Sequence, residues 1–161
     1  MTTRTVVHAS FTIERTYPAA PSRVFAAFAD PVRKARWFGA ADGLTLIERV
    51  WDFRDGGREH LSGRWPSGMV TAFDAHYHDI VPDRRIVYSY AMRLDGRRIS
   101  ASLATIEFLA EGTGTRLIVI EQGAFLDGYD DAGSREQGTA ELLEQVALSL
   151  ETGAAQGVNC G

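Results

Sequence analysis

Hydrophobic and polar positions along this chain change period twice. Phe11, Ile13, Arg15 and Tyr17 alternate with Thr12, Glu14 and Thr16, the period-two pattern of a strand. Pro18 ends that strand, and Pro21 opens a helix, where a missing N–H costs nothing in the first turn. Val24, Phe25, Phe28 and Ala29 form a short helical stripe. Pro31 breaks it, and a second short helix over 32–38 is expected to end at Gly39. From Leu44 the period returns to two, predicting strands over 44–54, 57–65, 69–81, 84–94, 97–109 and 115–125. Short turns at Asp55-Gly56-Gly57, Pro66-Ser67-Gly68, Pro82-Asp83, Asp95-Gly96 and 111–114 separate them, and links this short join antiparallel neighbours. After an Asp- and Gly-rich loop over 127–133, Thr139, Leu142, Leu143, Val146, Ala147 and Leu150 return to helical spacing. They predict a helix over 134–151, about 25 Å long at the usual rise. Ser134 with Gln137 reads as its capping box, and Gly153 as its stop. The order is strand, two short helices, six strands, long helix. It predicts an α+β fold whose strongly curved antiparallel sheet covers the stripe of the last helix.

Composition narrows the function classes. A length of 161 residues suits one domain over 10–152, with an extended or disordered start over 1–9 and a flexible tail over 153–161. The net charge of −4, with its basic residues scattered, argues against a nucleic-acid partner. No apolar run reaches the ~20 residues that span a bilayer, and the first ten residues lack a signal core. A cytoplasmic protein is expected, and the lone Cys160 fits a reducing compartment. Of the 17 basic residues only Lys34 is lysine, which reads mainly as a coding bias toward arginine.

Several short motifs, taken in order, resemble a known family. They are 20–25 (Ala-Pro-Ser-Arg-Val-Phe) with Asp30-Pro31, then Trp37-Phe38-Gly39, then Asp52-Phe53-Arg54-Asp55-Gly56-Gly57. Pro66-Ser67-Gly68, Ile80-Val81-Pro82 with Arg85-Ile86-Val87-Tyr88, and Gly114-Thr115-Arg116-Leu117 follow. The set is similar to the activator-of-heat-shock-protein-90-ATPase homologues, within the START-like (SRPBCC) superfamily. The resemblance covers about 11–151 and implies a helix-grip fold, with the two short helices closing one end. It also implies an apolar cavity, with Trp37 near its mouth. Where the family often carries Gly-Trp early in the last helix, this chain has Gly138-Thr139. Without that aromatic lid the cavity should be widest there, against Leu142 and Val146.

Strand alternation names the side chains that face such a cavity. Ile86, Tyr88, Tyr90 and Met92 share one face, as do Ser102, Ala104, Ile106 and Phe108, and Leu117, Val119 and Glu121. Phe73, Ala75 and Tyr77 form another inward set, and Phe53 completes the expected lining. A mostly apolar wall with a few polar groups is the usual make-up of a small-molecule pocket. Packing of the tyrosines into a filled core is the alternative. An inward Glu121 would be an acid, a base or a polar anchor; a β-bulge near Gly123 would instead turn it outward. His76 and His78 project together, beside Asp74 and within reach of His60, but on the face opposite Phe73 and Tyr77. They are expected on the outer, solvated face, and no metal site is assigned. Arg54 with Asp52, and Arg15, suit simple ion pairs, and Trp51 and Trp65 suit core or rim.

Three functions remain open. The first is a binding protein for a small hydrophobic or aromatic molecule, without a cofactor or membrane partner and with a homodimer allowed. The second is a non-metal enzyme of cyclase or hydratase type using Glu121 with a tyrosine. The third is an interaction module for a chaperone ATPase.

Overall fold

The structure is a computed structural model that describes residues 3–159, with side-chain detail over 3–151. Its elements run β1 (Val6–Tyr17), α1 (Pro21–Ala29), α2 (Pro31–Lys34), β2 (Thr45–Trp51), β3 (Arg58–Arg64), β4 (Val70–Val81), β5 (Arg85–Leu94), β6 (Arg97–Glu111), β7 (Gly114–Leu126) and α3 (Ala132–Asn159). The strands form one antiparallel sheet in the order β1-β7-β6-β5-β4-β3-β2. Six consecutive hairpin-linked strands thus end with β7 beside β1, the helix-grip arrangement. No described helix is long and apolar enough to cross a membrane.

Five expectations need correction. β1 begins at Val6 rather than Phe11, because β7 offers it partners back to Leu126. α2 is one turn long and is followed by turns, not helix, over 35–39. β2 stops at Trp51, and Asp52 to Gly57 make a wider turn in which Gly57 N donates to the Arg54 carbonyl at 2.8 Å. A Cβ at Gly57 would stand 2.0 Å from the Asp52 carbonyl oxygen, so this turn requires glycine. The cap of α3 is Asp131, whose carboxylate accepts from Ser134 N at 2.8 Å and Ser134 Oγ at 2.9 Å; Gln137 turns to Glu141 instead. Finally, Gly153 lies inside α3, which continues to Asn159, so 153–159 are helix rather than tail. Cys160 lies outside the described residues.

The core follows from which strands α3 covers. Leu143, Val146 and Leu150 join Phe11, Ile13, Val24, Phe25, Phe108, Leu117 and Val119 in one buried cluster. α3 rests on β1 and α1, and α1 on β6 and β7. Tyr17 Oη donates to the Leu143 carbonyl at 3.0 Å, and the Arg23 guanidinium donates to the Leu150 carbonyl. The stripe read from the last helix therefore seals the β1–β7–β6 half of the concave face. The β3–β4–β5 half lies beyond it.

Candidate functional site

Beside the N-terminal part of the α3 stripe, a cavity of about 690 Å³ opens between the helix and β3, β4 and β5. Its wall is a row of rings. Phe53 meets Tyr77 at 5.0 Å between centroids, Tyr77 meets Tyr88 at 5.9 Å, Tyr88 meets Tyr90 at 5.8 Å and Tyr90 meets Phe73 at 5.0 Å. Most of these contacts are tilted or edge-on, as ring quadrupoles favour. The wide turn before β3 fixes one end of the row: Gly56 N donates to the Tyr77 carbonyl and Tyr77 N to the Gly57 carbonyl, both at 2.9 Å.

Two buried polar clusters border the cavity. In the first, Lys34 ends α2 and reaches Glu59 on β3, with Nζ 2.5 Å from Oε1. Tyr77 Oη donates to the same oxygen at 2.5 Å and accepts from Trp51 Nε1 at 3.0 Å. Lys34 is 8% exposed and Glu59 2%. Burial holds the Lys34 ammonium below the usual lysine range, although Glu59 pulls the other way. Burial, with Glu59 next, pushes the Tyr77 hydroxyl well up, so it stays a donor.

In the second, Tyr90 Oη donates to Glu121 Oε1 at 2.7 Å and accepts from Arg135 Nη1 at 3.0 Å. Arg135 Nη2 also donates to Ser100 Oγ and Asp130 Oδ2, each at 2.7 Å. Glu121 is 3% exposed. Its Oε2 lies 3.6 Å from Arg135 Nη1, and neither it nor the Ser102 hydroxyl has a hydrogen-bond partner among the described residues. Burial raises the Glu121 carboxyl above the usual range against the opposing pull of Tyr90, Arg135 and nearby Ser102. The unbroken pairing of Glu121 with Phe11 and with Ala104 leaves no bulge to turn it outward. Between the clusters stands Tyr88, raised by burial and by the field of Tyr90 and both carboxylates.

A scan of protein families matches residues 18–151 to "Activator of Hsp90 ATPase homolog 1-like protein". The chain belongs to the Activator of Hsp90 ATPase homolog 1-like family. Among solved structures it is similar to a protein from Rhizobium leguminosarum, at 44% identity and TM-score 0.89, over 94% of this chain and 99% of that one. It is also similar to Mll3558 from Rhizobium loti, at 49% identity and TM-score 0.84, over 90% and 99%. SA2116 from Staphylococcus aureus, at 17% identity and TM-score 0.75 over 93% and 98%, shares the fold. No curated protein matches the chain. The resemblance read from the short motifs is thus the family, and its helix-grip, START-like fold is the one observed.

Within this Activator of Hsp90 ATPase homolog 1-like chain, Trp37, Phe53, Phe73, Tyr77, Tyr88, Tyr90, Met92, Glu121 and Leu142 line the cavity. Val146 does not: it is fully buried in the packed half. Nor does Ser102, which is buried, its hydroxyl 3.1 Å from where a Cβ on Gly123 would sit. Gly138 and Thr139 do form part of the wall, and a Cβ on Gly138 would meet nothing within 4 Å. His76 and His78 stack at 5.2 Å on the outer face; His60 Nδ1 lies 2.6 Å from Asp74 Oδ1. No group of three or more His, Cys, Asp or Glu gathers at metal-binding distance among the described residues. Arg54 pairs with Asp52 and Arg15 with Glu144. Trp65 lines the cavity and Trp51 packs against Phe53. Sequence reading missed Lys34, Glu59 and Arg135. Glu59 had a usable signal, since it shares the strand phase of Leu61. Arg135 had none, because its role depends on how α3 meets the sheet.

Proposed function

We propose that this protein binds an apolar aromatic small molecule between α3 and the β3–β5 strands, anchored by a polar group at Glu121. The observation that carries this reading is Glu121 Oε2, buried on the wall of an aromatic cavity of about 690 Å³ and without a hydrogen bond among the described residues. Cavities of roughly 300–1,000 Å³ with a few convergent polar groups are the usual form of ligand sites. The rings supply stacking area, and Tyr90 and Arg135 hold the carboxyl still. Titration calorimetry with 2-naphthol and with naphthalene tests the reading. Micromolar binding of 2-naphthol, weakened about tenfold in Glu121→Gln, is expected, since a hydrogen bond to a carboxyl group contributes about 1.5 kcal/mol. Equal binding of both probes by both proteins removes Glu121 as anchor, and no binding of either counts against the cavity as a site.

The raised carboxyl also supports an acid–base reading, in which Glu121 and Tyr90 move a proton on a bound cyclase- or hydratase-type substrate. That reading requires a pH-dependent turnover that Glu121→Gln abolishes.

A further inference from the structure

Lys34 is the chain's single lysine, yet it is spent neither on the surface nor at a helix end facing water. Its amine enters the aromatic wall, 5.0 Å from the Phe38 ring centroid and 5.1 Å from that of Trp51, and the residue lines the cavity. A buried arginine would keep its charge. A lysine is the cation whose charge burial can remove, and its free amine is a nucleophile toward carbonyl carbon.

The neighbours complete the chemistry. Glu59 Oε1, 2.5 Å from Nζ, is placed to take a proton from the ammonium. Tyr77 Oη accepts from Nζ at 3.2 Å and donates to Glu59 Oε1 at 2.5 Å, so one phenol holds both members of the pair. Arg49 on β2 adds a positive field that further disfavours the ammonium, while its own guanidinium is tied to the Phe38 carbonyl at 2.7 Å.

We propose that Lys34 forms a reversible imine with aldehydes or ketones carried by apolar aromatic molecules in the cavity. Glu59 takes a proton from the ammonium, and the freed lone pair attacks the carbonyl carbon, forming the C–N bond. The carbonyl π pair moves to oxygen, which gains a proton relayed from the adduct nitrogen through Glu59. A second relayed proton releases that oxygen as water when the C–O bond breaks. Overall, an ammonium and a carbonyl give a protonated imine and one water. Glu59 ends as the carboxylate it began, now the counter-ion of the imine. No oxidant or reductant enters. The proposal rests on the cavity being a ligand site but not on Glu121 as its anchor.

The test is reductive trapping at pH 7 with 2-naphthaldehyde and cyanoborohydride, read by peptide mass mapping. The reference is an Arg84→Lys protein, which supplies an exposed amine in the same chain. Lys34 is expected to be labelled at least about tenfold faster than the reference lysine, because an aldehyde bound in the cavity is held beside its amine. Naphthalene-2-methanol, which lacks the carbonyl, should bind, quench tryptophan fluorescence and slow the labelling. Lys34→Met should keep only the label on the α-amino group. Because the mapping is done on a chain that retains Lys34, it does not depend on that variant folding. Binding of the alcohol with no preference for Lys34 overturns the imine proposal and leaves the binding reading standing. Failure of the alcohol to bind overturns both.

Discussion

The two halves of the concave face are built from the same alternating strands and end in opposite states. On β1, β7 and β6 the inward residues Phe11, Ile13, Leu117, Val119 and Phe108 are buried in one cluster with α1 and α3, while Ile106 and Glu121 mark its border with the cavity. On β3, β4 and β5 they are Leu61, Phe73, Tyr77, Tyr88, Tyr90 and Met92, and they face the cavity. The difference lies in the cover rather than the sheet. α3 carries a stripe wide enough for about half of the face, and of its cavity-side positions Arg135, Gly138, Thr139, Glu141, Leu142 and Gln145 only Leu142 is a large apolar residue. The sheet half without a helix against it keeps its rings in place by polar ties instead: Tyr77 to Glu59 and Trp51, Tyr90 to Glu121 and Arg135.

That contrast predicts a graded set of effects. Leu117→Ala, in the sealed half, should cost about 4 kcal/mol in urea unfolding, through lost burial and a cavity that cannot collapse. Met92→Ala, facing space already open, should cost under about 1 kcal/mol. Equal costs would mean that the second half is as tightly filled as the first. Lys34→Met should cost about 3 kcal/mol, because it strands the Glu59 charge in the interior, and adding Glu59→Met should recover most of it. The cavity half thus depends on its polar ties more than on its apolar wall.

Thr139→Trp sharpens the comparison from the helix side. An indole at that position would project over the open wall beside Gly138, and 2-naphthol affinity should fall about tenfold with little loss of stability. The smallest effect concerns pH. Glu121 binds its proton more tightly folded than unfolded, so between its unfolded value, about 4.3, and its higher folded value the native state holds the extra proton. Stability should therefore fall as pH rises through that window. Melting temperatures of Glu121→Gln should lack this component, and an unchanged pH slope would show that Glu121 is not the group responsible.

Much of this was legible in the chain. Period-two alternation placed Tyr88, Tyr90 and Met92 on one inward face and Glu121 on another, because a sheet without a bulge at that point leaves no other choice. The apolar stripe of the last helix was equally plain, but not how far it reaches: Val146, expected on the cavity wall, is under the sealed half. Helix ends were misread where local chemistry had two solutions, Asp131 taking the cap that Ser134 offered and Gly153 continuing a helix it was expected to stop. The buried Lys34–Glu59 pair joins residues 25 positions apart on a helix end and a strand, a proximity that neither segment encodes alone.

An apolar aromatic molecule should enter one half of the concave face and not the other. Backbone and methyl NMR spectra recorded during titration with 2-naphthol test it directly. Shifts are expected at Leu61, Phe73, Tyr88, Tyr90, Met92 and Gly138, with Phe11, Leu117, Val119 and Val146 unmoved. Shifts spread equally over both halves, or confined to the outer face around His76 and His78, would contradict it.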